Sequence, residues 1–221
     1  MAVHRSLERV VRRHAEHLWR QPLHPPTVAA FENLQRLLEP AERERVVLDS
    51  GCGTASGTAA LAERHPGRIV IGVDRSAHRL RRAGDRCWPV REGAMIRVRA
   101  ELGTFWRLAH AAGWRLAHHY LLYPNPWPKP AQLRRRWHGH PAFPVLLGLG
   151  GRLCLRCNWE IYAREFARAV FLLSGRAPTV ERLAAPEGLT PFERKYAASG
   201  HGIWEVRVAL EAQGARAATL S

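Results

Sequence analysis

Between residues 45 and 173, short apolar runs alternate with longer stretches of helical periodicity. This alternation restricts the architecture more than any other feature of the chain. Arg45-Val-Val-Leu-Asp49 is a short apolar run followed at once by Gly-Cys-Gly, as expected of a buried strand and a tight turn. A helix is expected over 57–64 and a second strand over 69–73, ending at Asp74. Ser76 then caps a helix carrying Leu80. A strand at 95–98, a helix at 101–112, a strand at 115–123, a short helix at 141–149 and a strand at 152–157 follow. The longest helix, 159–172, carries Ile161, Phe166, Val170 and Leu173 as an apolar stripe, and strands at 179–183 and 203–210 close the series. Strand–helix alternation at this spacing predicts an α/β fold. Its sheet would be mostly parallel, of seven strands, with helices on both faces.

Ahead of this unit, residues 4–20 and 27–38 read as two helices broken at Pro22, Pro25 and Pro26, the second ending at Glu39-Pro40. Residues after about 212 read as a frayed tail. The expected division is therefore an N-terminal helical extension over 1–42, one domain over 43–212 and a tail over 213–221. No segment approaches the roughly 18 apolar residues of a membrane span. The N-terminus has no apolar core of the kind a secretory signal needs, so a cytoplasmic protein without a membrane partner is expected.

Charge narrows the class of partner. The chain holds 34 basic and 19 acidic residues, a formal net charge of +15. Such an excess favours a polyanion, nucleic acid before an anionic membrane. Lys129 and Lys195 are the only lysines, a preference for arginine that GC-rich codon usage explains; the shortage of acids it does not. Cys154 and Cys157 form a CxxC without a second pair at metal-ligand spacing, and Cys52 and Cys87 stand apart. In a strand, positions three apart face opposite sides, so buried thiols are expected rather than a metal site.

The three aspartates of the chain are Asp49, Asp74 and Asp85. Asp49 ends the first strand, just before Gly51, Gly53 and Gly57. This is not the GxGxxG spacing of a dinucleotide site, and a carboxylate there would repel a phosphate but welcome a cation. Asp74 ends the second strand, where a carboxylate can accept both hydroxyls of a ribose. Glu101 follows the third. One acid for an amino-acid moiety, one for a ribose and one near an adenine is the layout expected for S-adenosyl-L-methionine, a cofactor without phosphate.

After the fourth strand comes Tyr123-Pro-Asn125-Pro-Trp127-Pro-Lys129, then Pro-Ala-Gln-Leu and the run Arg134-Arg135-Arg136-Trp137. This segment resembles the PDPWxK stretch and following basic run of the bacterial tRNA (guanine-N7-)-methyltransferases. Asn158-Trp-Glu-Ile-Tyr162 is similar to that family's DWxxY, Thr190-Pro-Phe192-Glu193 to its TxFE, and Gly200-His-Gly-Ile-Trp204 to its ending. The resemblance covers about 45–210. It implies a Rossmann-like class I methyltransferase fold, S-adenosyl-L-methionine as cofactor and guanine N7 of tRNA as the methyl acceptor. It implies cofactor contacts at Asp49, Gly51, Gly53, Asp74, Glu101 and Asn125, with Asn125 also at the catalytic centre. It implies substrate contacts at Lys129, Asn158, Thr190, Phe192 and Glu193. No metal is expected, and the sequence leaves open a monomer or a homodimer. Lys129, Arg134, Arg135 and Arg136 would hold phosphates, and Trp127 or Trp137 would either stack on a base or pack in the protein. The chain departs from the family in carrying Asn125 and Asn158 where aspartates are usual, and Ala55 displaces the third glycine of the turn. Two rival readings follow: a paralogue methylating a different substrate, and a noncatalytic RNA-binding relative. No acid lies between Glu101 and Glu160, whereas Arg107, Arg115, Lys129, Arg134, Arg135, Arg136, Arg152 and Arg156 do. An acidic cofactor edge and a basic RNA edge are therefore expected.

Overall fold

The structure is a computed structural model that describes residues 3–17, 19–81 and 88–212. Asp85, Cys87 and the expected tail over 213–221 lie outside the described residues, as does Leu18 within the expected first helix. Helix α1 (Leu7–Glu16) and helix α2 (Pro25–Leu37) come first, with Pro25 and Pro26 opening the latter, where a missing N–H costs nothing. A single turn, α3 (Pro40–Arg43), leads into β1 (Val47–Ser50). Then follow α4 (Ser56–Arg64), β2 (Val70–Asp74), α5 (Ala77–Leu80), β3 (Val90–Glu92), β4 (Met95–Arg99), α6 (Leu102–Ala111) and β5 (His118–Leu122). Two short 3₁₀ turns, Pro130–Arg135 and Trp137–Gly139, separate β5 from α7 (Phe143–Gly148). The chain continues through β6 (Gly151–Cys157), α8 (Glu160–Ser174), β7 (Thr179–Arg182), α9 (Pro191–Ala198) and β8 (Trp204–Leu210).

The strand order is β3-β4-β2-β1-β5-β6-β8-β7. The four pairings from β4 to β6 are parallel, and β8 runs antiparallel to both β6 and β7. The sheet thus has eight strands among the described residues, not the seven expected from sequence. The additional one, β3, is a three-residue edge strand that pairs antiparallel with β4 across Gly93. Val-Arg-Glu is too short to show a period of two. Helix α9 was likewise not apparent from apolar spacing, because only Glu193 of its eight residues is buried.

Helices cover both faces unequally. Leu7, Val11, Phe31, Leu34, Phe105, Trp106, Phe143 and Phe166 join Leu48, Ile71, Ile96 and Leu155 in one large core, so α1 and α2 pack on the same sheet face as α6, α7 and α8. On the other face, Leu61 of α4 packs with Val47, Val70, Tyr120 and Leu122 in a small cluster. Beyond it the sheet is open. A groove of about 760 Å³ runs over β5, β6 and β8, lined by Arg64, His118, Arg152 and Arg207 among others. Cys154 belongs to the small cluster and Cys157 to the large one, on opposite faces as their spacing requires. Burial pushes their thiols up to about 12 and about 11, which keeps both unreactive.

Candidate active site

The parallel strands deliver their acids to one edge. Asp49 lies on β1, in register with Gly72 of β2, and Asp74 ends β2. The intervening turn is tied to β2, since the N–H groups of Gly51 and Cys52 both donate to the Val73 carbonyl, at 2.7 and 3.1 Å. Gly51 and Gly53 have φ of +83° and +59°, the left-handed region that glycine enters without strain. Among the described residues, its chain neighbours aside, nothing lies within 4 Å of where a Gly53 side chain would begin. Ala55 also takes a left-handed φ, +60°, so the turn keeps its path without the expected third glycine, at about 1–2 kcal/mol of strain.

Asp49 is fully buried. Its Oδ2 accepts a hydrogen bond from the Thr58 hydroxyl at 2.7 Å, and its Oδ1 has no partner among the described residues. Burial raises its pKa to about 6, offset in part by Thr58 and reinforced by the negative charge of Asp74. Asp74 is held differently: its two oxygens accept N–H groups from Ser76 at 2.8 Å and Gly53 at 3.1 Å, and Arg79 approaches at 3.3 Å. Oδ2, which accepts from Gly53 alone, has a further lone pair for a ribose hydroxyl, whereas Oδ1 already meets both Ser76 and Arg79. Glu101, beyond β4, caps α6 by accepting from the N–H groups of Gly103 at 2.8 Å and Thr104 at 2.7 Å. Leu102, its neighbour, comes within 3.9 Å of the position of a Gly51 side chain, so the three strand ends lie side by side. The donor set fits a small cationic nucleoside by its chemistry: the unpartnered Asp49 oxygen calls for a positive group, and Asp74 retains an acceptor for a hydroxyl.

The second half of the site is the loop between β5 and the first 3₁₀ turn. Tyr123 and Trp127 adopt left-handed φ of +54° and +46°, bracketing Asn125. Asn125 is exposed, and its Oδ1 accepts the Trp127 N–H at 3.3 Å, an Asx turn that leaves the side-chain NH₂ available. Lys129, Arg134 and Arg135 are exposed, with the Arg135 guanidinium 4.9 Å over the Trp127 ring. Trp137 packs edge-on against Trp106 at 4.6 Å, which favours packing over base stacking there.

Arg136 departs from the phosphate-contact expectation. It is buried, and its guanidinium binds Glu165 and the carbonyls of Trp127 and Pro128. Burial closes it to a phosphate. Glu193, expected at the substrate, is fully buried too: its Oε1 receives Arg156 at 3.0 Å and the Gly188 N–H at 2.9 Å. Thr190 caps α9 by accepting the Glu193 N–H at 3.1 Å, and its methyl group lies 3.1 Å from where a Gly57 side chain would begin. It therefore adjoins the helix start that holds Asp49. Phe192 is exposed on α9, while Asn158 is half-buried at the end of β6.

A family profile described as "Putative methyltransferase" matches residues 43–206. The chain belongs to that methyltransferase family. A tRNA (guanine-N(7)-)-methyltransferase of Thiobacillus denitrificans is 29% identical to this methyltransferase over 175 residues, 72% of this chain and 73% of the relative. The namesake enzyme of Nitrosococcus oceani is 26% identical over 212 residues, 87% and 81% of the respective chains. Among solved structures, one described as an antibiotic-related methyltransferase superposes with a TM-score of 0.57 at 13% identity, covering 81% of this methyltransferase and 94% of that chain. The 16S rRNA methyltransferase KamB gives 0.54 at 14% identity, covering 86% and 95%. These last two likenesses concern the fold.

Thr58 and Gly72 were not apparent from sequence as parts of the site of this methyltransferase. A side chain at Gly72 would collide with the Thr58 hydroxyl and begin 3.0 Å from the Cys52 sulfur. Glycine there lets Thr58 reach Asp49. An isolated glycine within the strand run Ile-Gly-Val-Asp was the available signal.

Proposed function

We propose that this methyltransferase transfers a methyl group from S-adenosyl-L-methionine to N7 of a guanine in tRNA, acting in the cytoplasm. The observation that carries the reading is that an exposed loop bearing Asn125, Lys129, Arg134 and Arg135 follows β5, whose neighbour β1 carries the buried, half-satisfied Asp49. The names of the relatives support it. Asp49 would receive the ammonium of the cofactor, Asp74 its ribose, and the Gly51–Gly53 turn would pass beneath it. When bound, the cofactor supplies a methyl group activated by a positively charged sulfur.

Guanine N7 has a free lone pair, so no proton has to leave before attack and no strong base is needed. A neutral amide at Asn125 is compatible with that chemistry, because its NH₂ can orient an acceptor without taking a proton. The work left to the chain is alignment. Lys129, Arg134 and Arg135 would hold phosphates as the base enters. Residues 43–212 form the methyltransferase domain in this reading, with 1–42 as an extension that also packs on it and 213–221 as a tail.

Incubation of the purified protein with labelled cofactor and unmodified tRNA, followed by mapping of the methylated nucleoside, tests the proposal. The expected product is 7-methylguanosine. Cofactor binding without any label in tRNA would point to a paralogue with another substrate. Salt-sensitive tRNA binding without turnover would point to a noncatalytic relative.

A further inference from the structure

One buried carboxylate joins three parts of the chain that are remote in sequence. Glu165 lies on α8 and is 1% exposed. Its Oε1 accepts the backbone N–H of His4 at 2.9 Å, in the segment ahead of α1. Its Oε2 receives the Arg136 guanidinium and the His138 Nε2, the latter at 3.0 Å. Arg136 turns its other two nitrogens to the loop: Nε donates to the Trp127 carbonyl at 3.1 Å and Nη2 to the Pro128 carbonyl at 3.4 Å. Its guanidinium also lies 4.9 Å over the Trp159 ring, which caps the arrangement from the start of α8.

The loop so held is strained. Two aromatic residues in left-handed conformation cost of order 1–2 kcal/mol each. Such backbone persists where its surroundings dictate it, and Trp127, at +46°, is the residue whose carbonyl Arg136 grips. A charged pair at that place is a costly device if only stability were served, since apolar residues of similar volume often replace buried ion pairs without loss. What apolar residues cannot do is donate to two successive carbonyls.

We infer that Arg136 and Glu165 are positioning residues for methyl transfer: Glu165 orients Arg136, and Arg136 holds the 123–129 loop so that Asn125 is presented in one conformation. The His4 contact makes the N-terminal segment part of the same support. The inference rests on the proposed function for its catalytic consequence, but its structural half is measurable without activity.

The test uses the full chain with Arg136→Met and Glu165→Met combined, which removes the charges together and keeps the volume, with Arg136→Lys as a second variant should the double one fail to fold. Two readouts are taken. Hydrogen exchange at the Trp127 amide is expected to accelerate at least about tenfold in the variant, while amides of β1 and β5 stay protected. In tRNA methylation, kcat is expected to fall at least about tenfold, with cofactor Kd within about twofold of the parent and a smaller change in KM. A folded variant with parental exchange at Trp127 overturns the inference, whatever its activity. Loosened exchange with parental kcat overturns the catalytic half. If the parent protein itself methylates no tRNA, the proposed function fails separately, and the exchange measurement alone decides whether the clamp holds the loop.

Discussion

Asp49 and Arg156 are both buried charged side chains near the carboxyl edge of the sheet, two strands apart, and their surroundings treat them in opposite ways. Among the described residues, Asp49 has one hydrogen bond, from Thr58, and an oxygen with no partner. Arg156 meets three carboxylates: Glu205 at 2.6 Å, Glu193 at 3.0 Å and Glu187 at 3.0 Å. A buried charge short of partners is costly on its own and is tolerated where a ligand completes it. A buried charge with a carboxylate at each of its three nitrogens is a strut. The contrast is one of partners: a single hydroxyl at Asp49 against three carboxylates at Arg156, although both are charged and both lie near the same edge.

The strut side gives the largest expected effect. Arg156→Leu would leave Glu193 buried without its counter-ion and Glu205 with Arg207 alone, at 2.7 Å, and we expect a loss of about 3–5 kcal/mol in urea unfolding. A change below about 1 kcal/mol would show that Arg156 is not a strut.

Asp49→Asn sharpens the other side, because its two effects should have opposite signs. Cofactor affinity in calorimetry should weaken at least about 30-fold, the scale of truncating a buried charge pair. The free protein should become more stable. Burial raises the Asp49 pKa from 3.8 to about 6, so the unfolded chain releases this proton at lower pH than the folded one. The parent therefore loses stability from this group as pH rises from about 4 to about 6, by at most about 3 kcal/mol. The variant escapes that loss, and its melting temperature should exceed the parent's above pH 6. Cofactor affinity of the parent should fall below about pH 6, where Asp49 is protonated. Equal melting temperatures at pH 7.5 would contradict the assignment of Asp49 as the unsatisfied partner.

Lys129→Ala tests an exposed charge. It should weaken tRNA binding about tenfold and lower the salt slope by about one. The same slope in parent and variant would remove Lys129 from the phosphate contacts. The smallest effect is expected at Thr190→Ala, where loss of the α9 cap should cost about 1 kcal/mol of stability. A much larger effect would mean that Thr190 acts through Gly57 on the cofactor turn.

The alternation of apolar runs and the acids at their ends were enough to predict the parallel sheet and to bring Asp49, Asp74 and Glu101 to one edge. Both follow from local rules: a strand end in a parallel sheet must point to the same edge as its neighbours'. The eighth strand and α9 were hidden because neither has the length or apolar period to announce itself. The basic stretch from Arg107 to Arg156 misled in an instructive way. Its acids are absent locally and arrive from elsewhere, Glu165 for Arg136, and Glu187, Glu193 and Glu205 for Arg156. Lys129, Arg134 and Arg135 remain exposed.

The sequence by itself determined the fold class, the edge at which Asp49, Asp74 and Glu101 gather and the basic segment after β5, because these depend on periodicity and on residues adjacent along the chain. Only the tertiary structure decided which charges stay exposed and which are buried against partners. That choice depends on burial and on partners up to 161 residues away, as for His4 and Glu165, and a side chain's charge is silent about both.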